Sequence, residues 1–525
     1  MKQTSMSLTL SRRTLLGTAA AFAAAAPMRL LAQDAPAPEP VRPFSYDLLS
    51  AEMQAAASTP WVAPAPLGGF LADLGYDDYR LINFRSSNRR WNEPGSPWGV
   101  AAFPRGWLFK DPVSLYEVVD GEARPMPIRG EDFEYLNDLG AKLPPMPEDP
   151  GIAGFRLHHP LNRPDVMDEL VAFTGASYFR ALGQDSAYGL SARGIALNTG
   201  SAAGEEFPHF SAFYLDRLSV PGAVVVCAAM ESPSLTGAYR MVVRPGATTT
   251  MDVTARLYFR KDVQELGIAP LTSMFLYSEK NRAVFDDFRP NVHDSDGLRI
   301  VRADGEIIWR PLNNPPRLSG SYFPEDDVRA YGLHQRDRKF ESYQDTEANY
   351  HRRPSLDVEP VGDWGRGHVR LVEIPSEYEA NDNIVVYWVP EGQVKAGDAR
   401  EYSYRLHWGD LPLEYGSPFA HVEETRAGHG GVSGVGLNDG DRKFVIDFRG
   451  AMLDRLDSVD GVQPVVTITN GSARSVVLQR VEQNGVWRLI VDVAADRDAV
   501  VEIAAHLAGF GRKLTENWLY QWINS

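Results

Sequence analysis

A single cysteine, Cys227, stands in 525 residues, so no intramolecular disulfide can form and no cysteine cluster is present to hold zinc, haem or iron–sulfur. Spaced histidine pairs of the zinc-protease kind are missing too, and neither a metal nor a cofactor is demanded. Long apolar runs are scarce. The one near the start, Gly17 to Ala26, is followed by Pro27 and Arg29 and falls short of the ~20 apolar residues that a membrane-crossing helix needs. Bases are outnumbered: 53 Lys and Arg against 69 Asp and Glu give a formal charge of −16. Such a surface repels nucleic acid and anionic lipid, which excludes them as expected partners, and it suits a neutral ligand.

What the amino terminus does carry is Ser11-Arg12-Arg13-Thr14-Leu15-Leu16 directly before that run of small apolar residues. This is the pattern of a twin-arginine export signal. Cleavage after Ala32 is expected to release a periplasmic protein, exported already folded, for which a chain without disulfides is suited. Removing residues 1–32 takes away Lys2, Arg12, Arg13 and Arg29 and no acid, so the charge moves to −20. Residues 33–43 read as a linker, proline-rich from Pro36 to Pro43.

About 490 residues remain, beyond the ~250–300 at which one core usually stops growing, so at least two domains are expected. Short apolar runs between Gly, Pro, Asn and Asp mark the chain as mainly β. Asp120-Gly121, Asp304-Gly305 and Asn484-Gly485 each sit between strand-like flanks and predict tight hairpins. Lys443 to Phe448 and Val500 to Leu507 add strand candidates. Helices are expected at Tyr46 to Ala57 and, more weakly, at Asp165 to Phe173. The strand pattern breaks over Leu411 to Pro418, which divides the chain into a large β-sandwich (44–410) and a piece of immunoglobulin-like size and strand spacing (418–525). Gly428 to Gly440 is glycine-dense but lacks the strand-before, helix-after setting of a nucleotide loop, and reads as a surface loop.

For chemistry, Ser191 in Gly189-Leu190-Ser191-Ala192-Arg193-Gly194 misses the nucleophile-elbow spacing by one residue and reads as structural. His293-Asp294-Ser295-Asp296 has donor types for a metal, but a second donor set at matching spacing is missing. Between residues 290 and 390 acids, arginines and aromatics are dense: Asp294, Asp296, Trp309, Asp345, Tyr350, Arg353, Trp364, Glu373, Asp382 and Trp388. Aromatic faces pack on sugar rings, polar side chains bind hydroxyls, and two carboxyl groups can act as acid and base at a glycosidic oxygen. A solvated β surface has a similar composition, and Trp364 and Trp388 fit a core as well as a cleft.

Longer stretches carry a resemblance. Gly175-Ala176-Ser177-Tyr178-Phe179-Arg180, Tyr188 to Gly194, Glu205-Glu206-Phe207-Pro208, Leu266 to Phe275, Arg310 to Pro315, Arg353-Pro354-Ser355, Asn381-Asp382-Asn383-Ile384-Val385 and Glu516 to Gln521 resemble the periplasmic osmoregulated-glucan biosynthesis proteins G and D, in order along nearly the whole mature chain. The twin-arginine signal resembles the D branch. The resemblance implies a galactose-mutarotase-like β-sandwich followed by an immunoglobulin-like domain, and an inverting endo-β-1,2-glucanase with Asp382 as general acid and Asp294 as general base, protons passing through water and a substrate hydroxyl. Asp382 would then need a raised pKa while Asp294 stays ionised, with Asp296 and Arg353 as the neighbours able to shift them. Tyr350 and Arg353 match positions beside the cleft; Ser295, Asp296, Trp364, Trp388 and Arg193 complete the expected substrate-binding set, Arg193 being equally suited to tying two strands together. A membrane glucan synthase is an implied partner and a homodimer the implied assembly, with the Gly428 to Gly440 loop as a lid over a neighbour's cleft. The same aspartates would also serve a transglycosylase, and a glucan-binding assembly factor without catalysis is the remaining reading.

Overall fold

The Tyr46–Ala57 helix starts where Ser45 accepts a hydrogen bond from the Leu48 amide, and Asp47 complements the positive end of its dipole. Its buried face, Leu49 and Met53, packs on strands Val224–Glu231 and Leu235–Arg244. Cys227 lies beneath it, buried, its thiol pushed up to about 12 by desolvation and therefore inert. The computed structural model describes residues 40–201, 204–412, 417–431 and 441–524. The expected export signal, most of the expected linker and residues 432–440 of the glycine-dense loop lie outside them.

The chain is all-β. All three turn dipeptides join antiparallel partners: Val119 faces Glu122, Val301 faces Ile307, and Arg480 pairs with Trp487. Asp120 and Gly121 both have positive φ, 53° and 76°, the requirement of the tight turn that Asp-Gly satisfies. The expected helix at Asp165 to Phe173 is instead strand Asp168–Thr174, paired with Ile152–His159 and Tyr178–Ala181. Leu170 to Phe173 are all buried, and a continuous apolar run in a strand covered on both faces cannot be told from a buried helix by periodicity.

A sixteen-stranded sheet and a ten-stranded sheet enclose the main core. Phe213, Tyr239, Val253 and Leu406 come from the first sheet and Phe155, Phe173, Leu371 and Val386 from the second. Thr249–Phe259 alternates strictly between buried and half-buried residues, the period of a strand with one face in the core. A second apolar cluster belongs to the carboxy-terminal strands. There a four-stranded sheet with Asp441–Arg449 and Trp487–Ala494 at its centre brings Phe444, Ile446 and Trp487 against Ile503, Leu507 and Trp518. The opposing strands are not a separate sheet. Asn517–Ile523 pairs in parallel with Ile307–Pro311, Trp518 beside Trp309, so the large sheet runs on into the carboxy-terminal sandwich. Among the described residues no helix is long and apolar enough to cross a membrane.

Candidate active site

Asp382 lies in the connection between strands Gly367–Glu373 and Ile384–Pro390, and buried asparagines clamp that loop at both ends. At its end, Asn383 donates from Nδ2 to the Phe275 and Ile374 carbonyls (2.9 and 3.0 Å) and accepts from the Phe275 amide at 2.8 Å. Near its start, Asn314 donates to the Leu276 and Ser376 carbonyls and accepts from the Ser376 amide. Glu373 at its base is fully buried, bound by Arg310 Nη2 at 3.0 Å and the Asn313 amide at 2.7 Å. Burial demands these partners. Asp294 hangs on the same segment, its amide donating to Met274 O at 2.8 Å. The stretch Met274-Phe275-Leu276 therefore holds both aspartate loops.

Asp294 is 7% exposed. Desolvation pushes its pKa up, the Arg353 guanidinium opposes that with Nε 3.6 Å from Oδ1, and the charges of Asp382 and Glu379 add to the rise. Asp382 is more open, about a third exposed, with Arg180 Nη2 4.0 Å from Oδ2. Arg180 is itself held by Ser191, whose hydroxyl accepts from Nε at 2.6 Å; the structural reading of Ser191 thus gains a specific task. Arg353 packs over the Tyr350 ring at 5.2 Å, and the Tyr350 hydroxyl donates to Glu379 Oε2 at 3.2 Å. Glu379 also receives Arg289 at 2.8 Å, which bonds Asp345 at 2.9 Å. Asp294, Asp382, Tyr350 and Arg353 are thus neighbours, joined by Arg180 and Glu379, which composition did not single out.

Other expected members of the site go elsewhere. Ser295 is fully buried, its hydroxyl 2.9 Å from that of Ser273. Trp388 is fully buried, and Trp364 is 7% exposed with its indole N–H donating to Ser403 O at 3.1 Å. These three are interior residues with no face for a sugar, because closing two large sheets consumes large aromatics. Arg193 is 5% exposed and ties Thr272 Oγ1 (2.8 Å) to Glu205 (2.7 Å), the strand-tying role. Asp296 does not act on Asp294 as expected. It turns to a different hollow, accepting from the Arg336 and Asp337 amides and lying 3.4 Å from His293 Nε2. His293 Nδ1 is engaged by Gln335 at 3.0 Å, so the His-Asp-Ser-Asp motif does not converge on one metal. Around that hollow burial pushes Asp337 up to about 6 and Glu424 up to about 8, with neighbouring carboxylates adding to both. Two roomier hollows, of about 840 and 640 Å³, are lined by neither aspartate.

The whole arrangement matches known relatives. A family model described as "Periplasmic glucan biosynthesis protein, MdoG" matches residues 44–522. The chain belongs to this family of periplasmic glucan biosynthesis proteins. Among its relatives, the glucans biosynthesis protein G of Cereibacter sphaeroides is 56% identical over 98% of both chains. That of Rhodopseudomonas palustris is 46% identical over 89% of this chain and 91% of its own, and that of a Shewanella species 42% identical over 89% and 84%. These relatives carry the G name although the leader resembles the D branch. Among solved structures a polysaccharide lyase aligns with 71% of this chain and 44% of its own at 11% identity and a TM-score of 0.17, a likeness that carries no argument. The glucan biosynthesis family name accords with a periplasmic location.

Proposed function

We propose that this family member cleaves β-1,2-glucan with inversion, Asp382 acting as general acid and Asp294 as general base. The reading rests on one observation above all: Asp294 and Asp382, eighty-eight positions apart in sequence, hang from one strand and feel each other's charge. In the reaction Asp382 gives its proton to the glycosidic oxygen as the bond to the anomeric carbon breaks. Water bonds to that carbon from the opposite face and passes a proton toward Asp294. The electrostatic expectation needs one correction. Asp294 does not stay in the ordinary carboxylate range: burial lifts it, which makes it a stronger base, while Arg353 keeps the ionised form within reach. Tyr350 and Arg353 hold the base and border the substrate, and Asp296 has no part in the step. Transfer to a sugar hydroxyl instead of water uses the same groups, and the word biosynthesis in the relatives' names favours such remodelling as the second reading. A synthase partner and a homodimer belong to this proposal as the setting in which the glucan is handled.

Incubating the mature protein with linear β-1,2-glucan tests it. New reducing ends should appear, first as the α-anomer, and Asp382→Asn and Asp294→Asn should each lower the rate by about 10²–10⁴-fold with glucan binding retained. Size redistribution without new reducing ends would establish the transglycosylase; binding without either by the wild type would leave an assembly factor.

A further inference from the structure

The hollow that Asp296 faces lies where the two sandwiches meet. Glu279 follows strand Phe275–Tyr277 and Asp337 follows strand Ala330–His334, whereas Glu424 stands on strand His421–His429 of the four-stranded sheet. The register of that strand slips between Val422 and Glu424, and such a bulge re-aims a side chain. One carboxylate oxygen from each of the three lies within 4.8 Å of the others.

Their counter-charges are absent or committed elsewhere. Glu279 and Asp337 make no ion pair among the described residues; Glu279 has only the Asn291 amide, at 2.9 Å. Arg426 approaches Glu424 no closer than 3.5 Å and reaches Asp447 at 3.1 Å. Arg336 is taken by Glu516, and Asp296 adds a fourth acid. Independently, Lys280 lines the same hollow at 6% exposure with its ammonium over the Phe275 ring at 5.0 Å. Among the described residues that ammonium has no hydrogen-bond acceptor and no carboxylate within salt-bridge reach. A buried ammonium without a partner is costly, so the hollow is built for something that offers Lys280 an acceptor while neutralising the acids.

We propose that Glu279, Asp337 and Glu424 bind a divalent cation of the calcium class, whose retained water accepts a hydrogen bond from Lys280. Carboxylate oxygens are the ligands such hard ions take. The span of the trio fits calcium, with ligands at ~2.3–2.6 Å, better than magnesium, whose ligands at ~2.0–2.1 Å would draw opposite oxygens closer than about 4.2 Å. The free volume, about 20 Å³, suits a body the size of one water. Because Glu424 comes from the carboxy-terminal sandwich and the other two from the large one, the ion ties the two together.

Thermal unfolding and titration calorimetry of the mature protein, in calcium chloride against EDTA, decide the matter. Saturating calcium should raise Tm by about 3 °C with single-site heat, and magnesium should raise it less. Glu424→Gln and Asp337→Asn should each abolish the calcium shift, with Tm in EDTA at or above that of the wild type because like charges have been removed. Equal Tm in calcium and EDTA without binding heat would overturn the proposal and leave the carboxylates sharing protons. A calcium shift unchanged in both variants would overturn it as well, by placing the ion elsewhere.

Discussion

Asp294 shows how much a single residue depends on its surroundings. Desolvation alone would favour its neutral form, and Arg353 at 3.6 Å is the counterweight. A general base works only when ionised, so activity should fall as pH drops through its pKa. Replacing Arg353 by Met withdraws the opposing charge and should move that acid limb of kcat/KM to higher pH by about 1 unit or more, read from the pH–rate profile. A limb that does not move would remove Asp294 from the role of base. The same scale separates aspartates that sequence cannot separate: Asp294 and Asp296 are two positions apart, yet one faces Arg353 and the other the Arg336 and Asp337 amides. Composition likewise placed Trp364, Trp388, Ser295 and Arg193 beside the sugar, because aromatic and polar residue types are shared by clefts and cores.

At the scale of elements, turn chemistry is local and therefore readable. Asp-Gly and Asn-Gly satisfy positive φ wherever they occur, and all three predicted hairpins are present. The Asp165 to Phe173 run failed because its apolar residues are buried on both faces, which erases the alternation that marks a strand. The loop carrying Asp382 is held by long-range bonds, chiefly from Asn383 to a strand more than a hundred residues earlier. Asn383→Ala should leave the Phe275 amide and carbonyl unpaired, costing about 1–3 kcal/mol in denaturant unfolding. Because it also frees Asp382, kcat should drop more than KM changes; an unaltered kcat would show that the clamp does not position the acid.

Across the whole molecule, Arg336 and Glu516 bind the carboxy-terminal strands to the large sandwich. Two bonds of 2.9 and 2.7 Å join them; both side chains are buried, Arg336 stacks on Trp309 at 3.5 Å, and Glu516 accepts from the Val422 amide. Glu516→Ala would strand a buried guanidinium, and about 3–5 kcal/mol of stability should be lost, measured by urea unfolding. A loss below about 1 kcal/mol would mean water replaces the carboxylate. The acidic composition, the lone cysteine and the break near Leu411 foretold β-sandwiches without disulfides. They did not foretell that one sheet runs through both, since the pairing of Trp309 with Trp518 joins residues remote in sequence.

By itself the sequence determined the strand-rich class, the tight turns, the amino-terminal helix and, through its extended motifs, the family, since these depend on local dihedral preference, hydrophobic period or long matching stretches. Tertiary structure alone decided which acids meet, which aromatics are buried and which arginine tempers which carboxylate. Desolvation and Coulomb energy depend on distances across the fold, and residues far apart in the chain set those distances only once the sheets have closed.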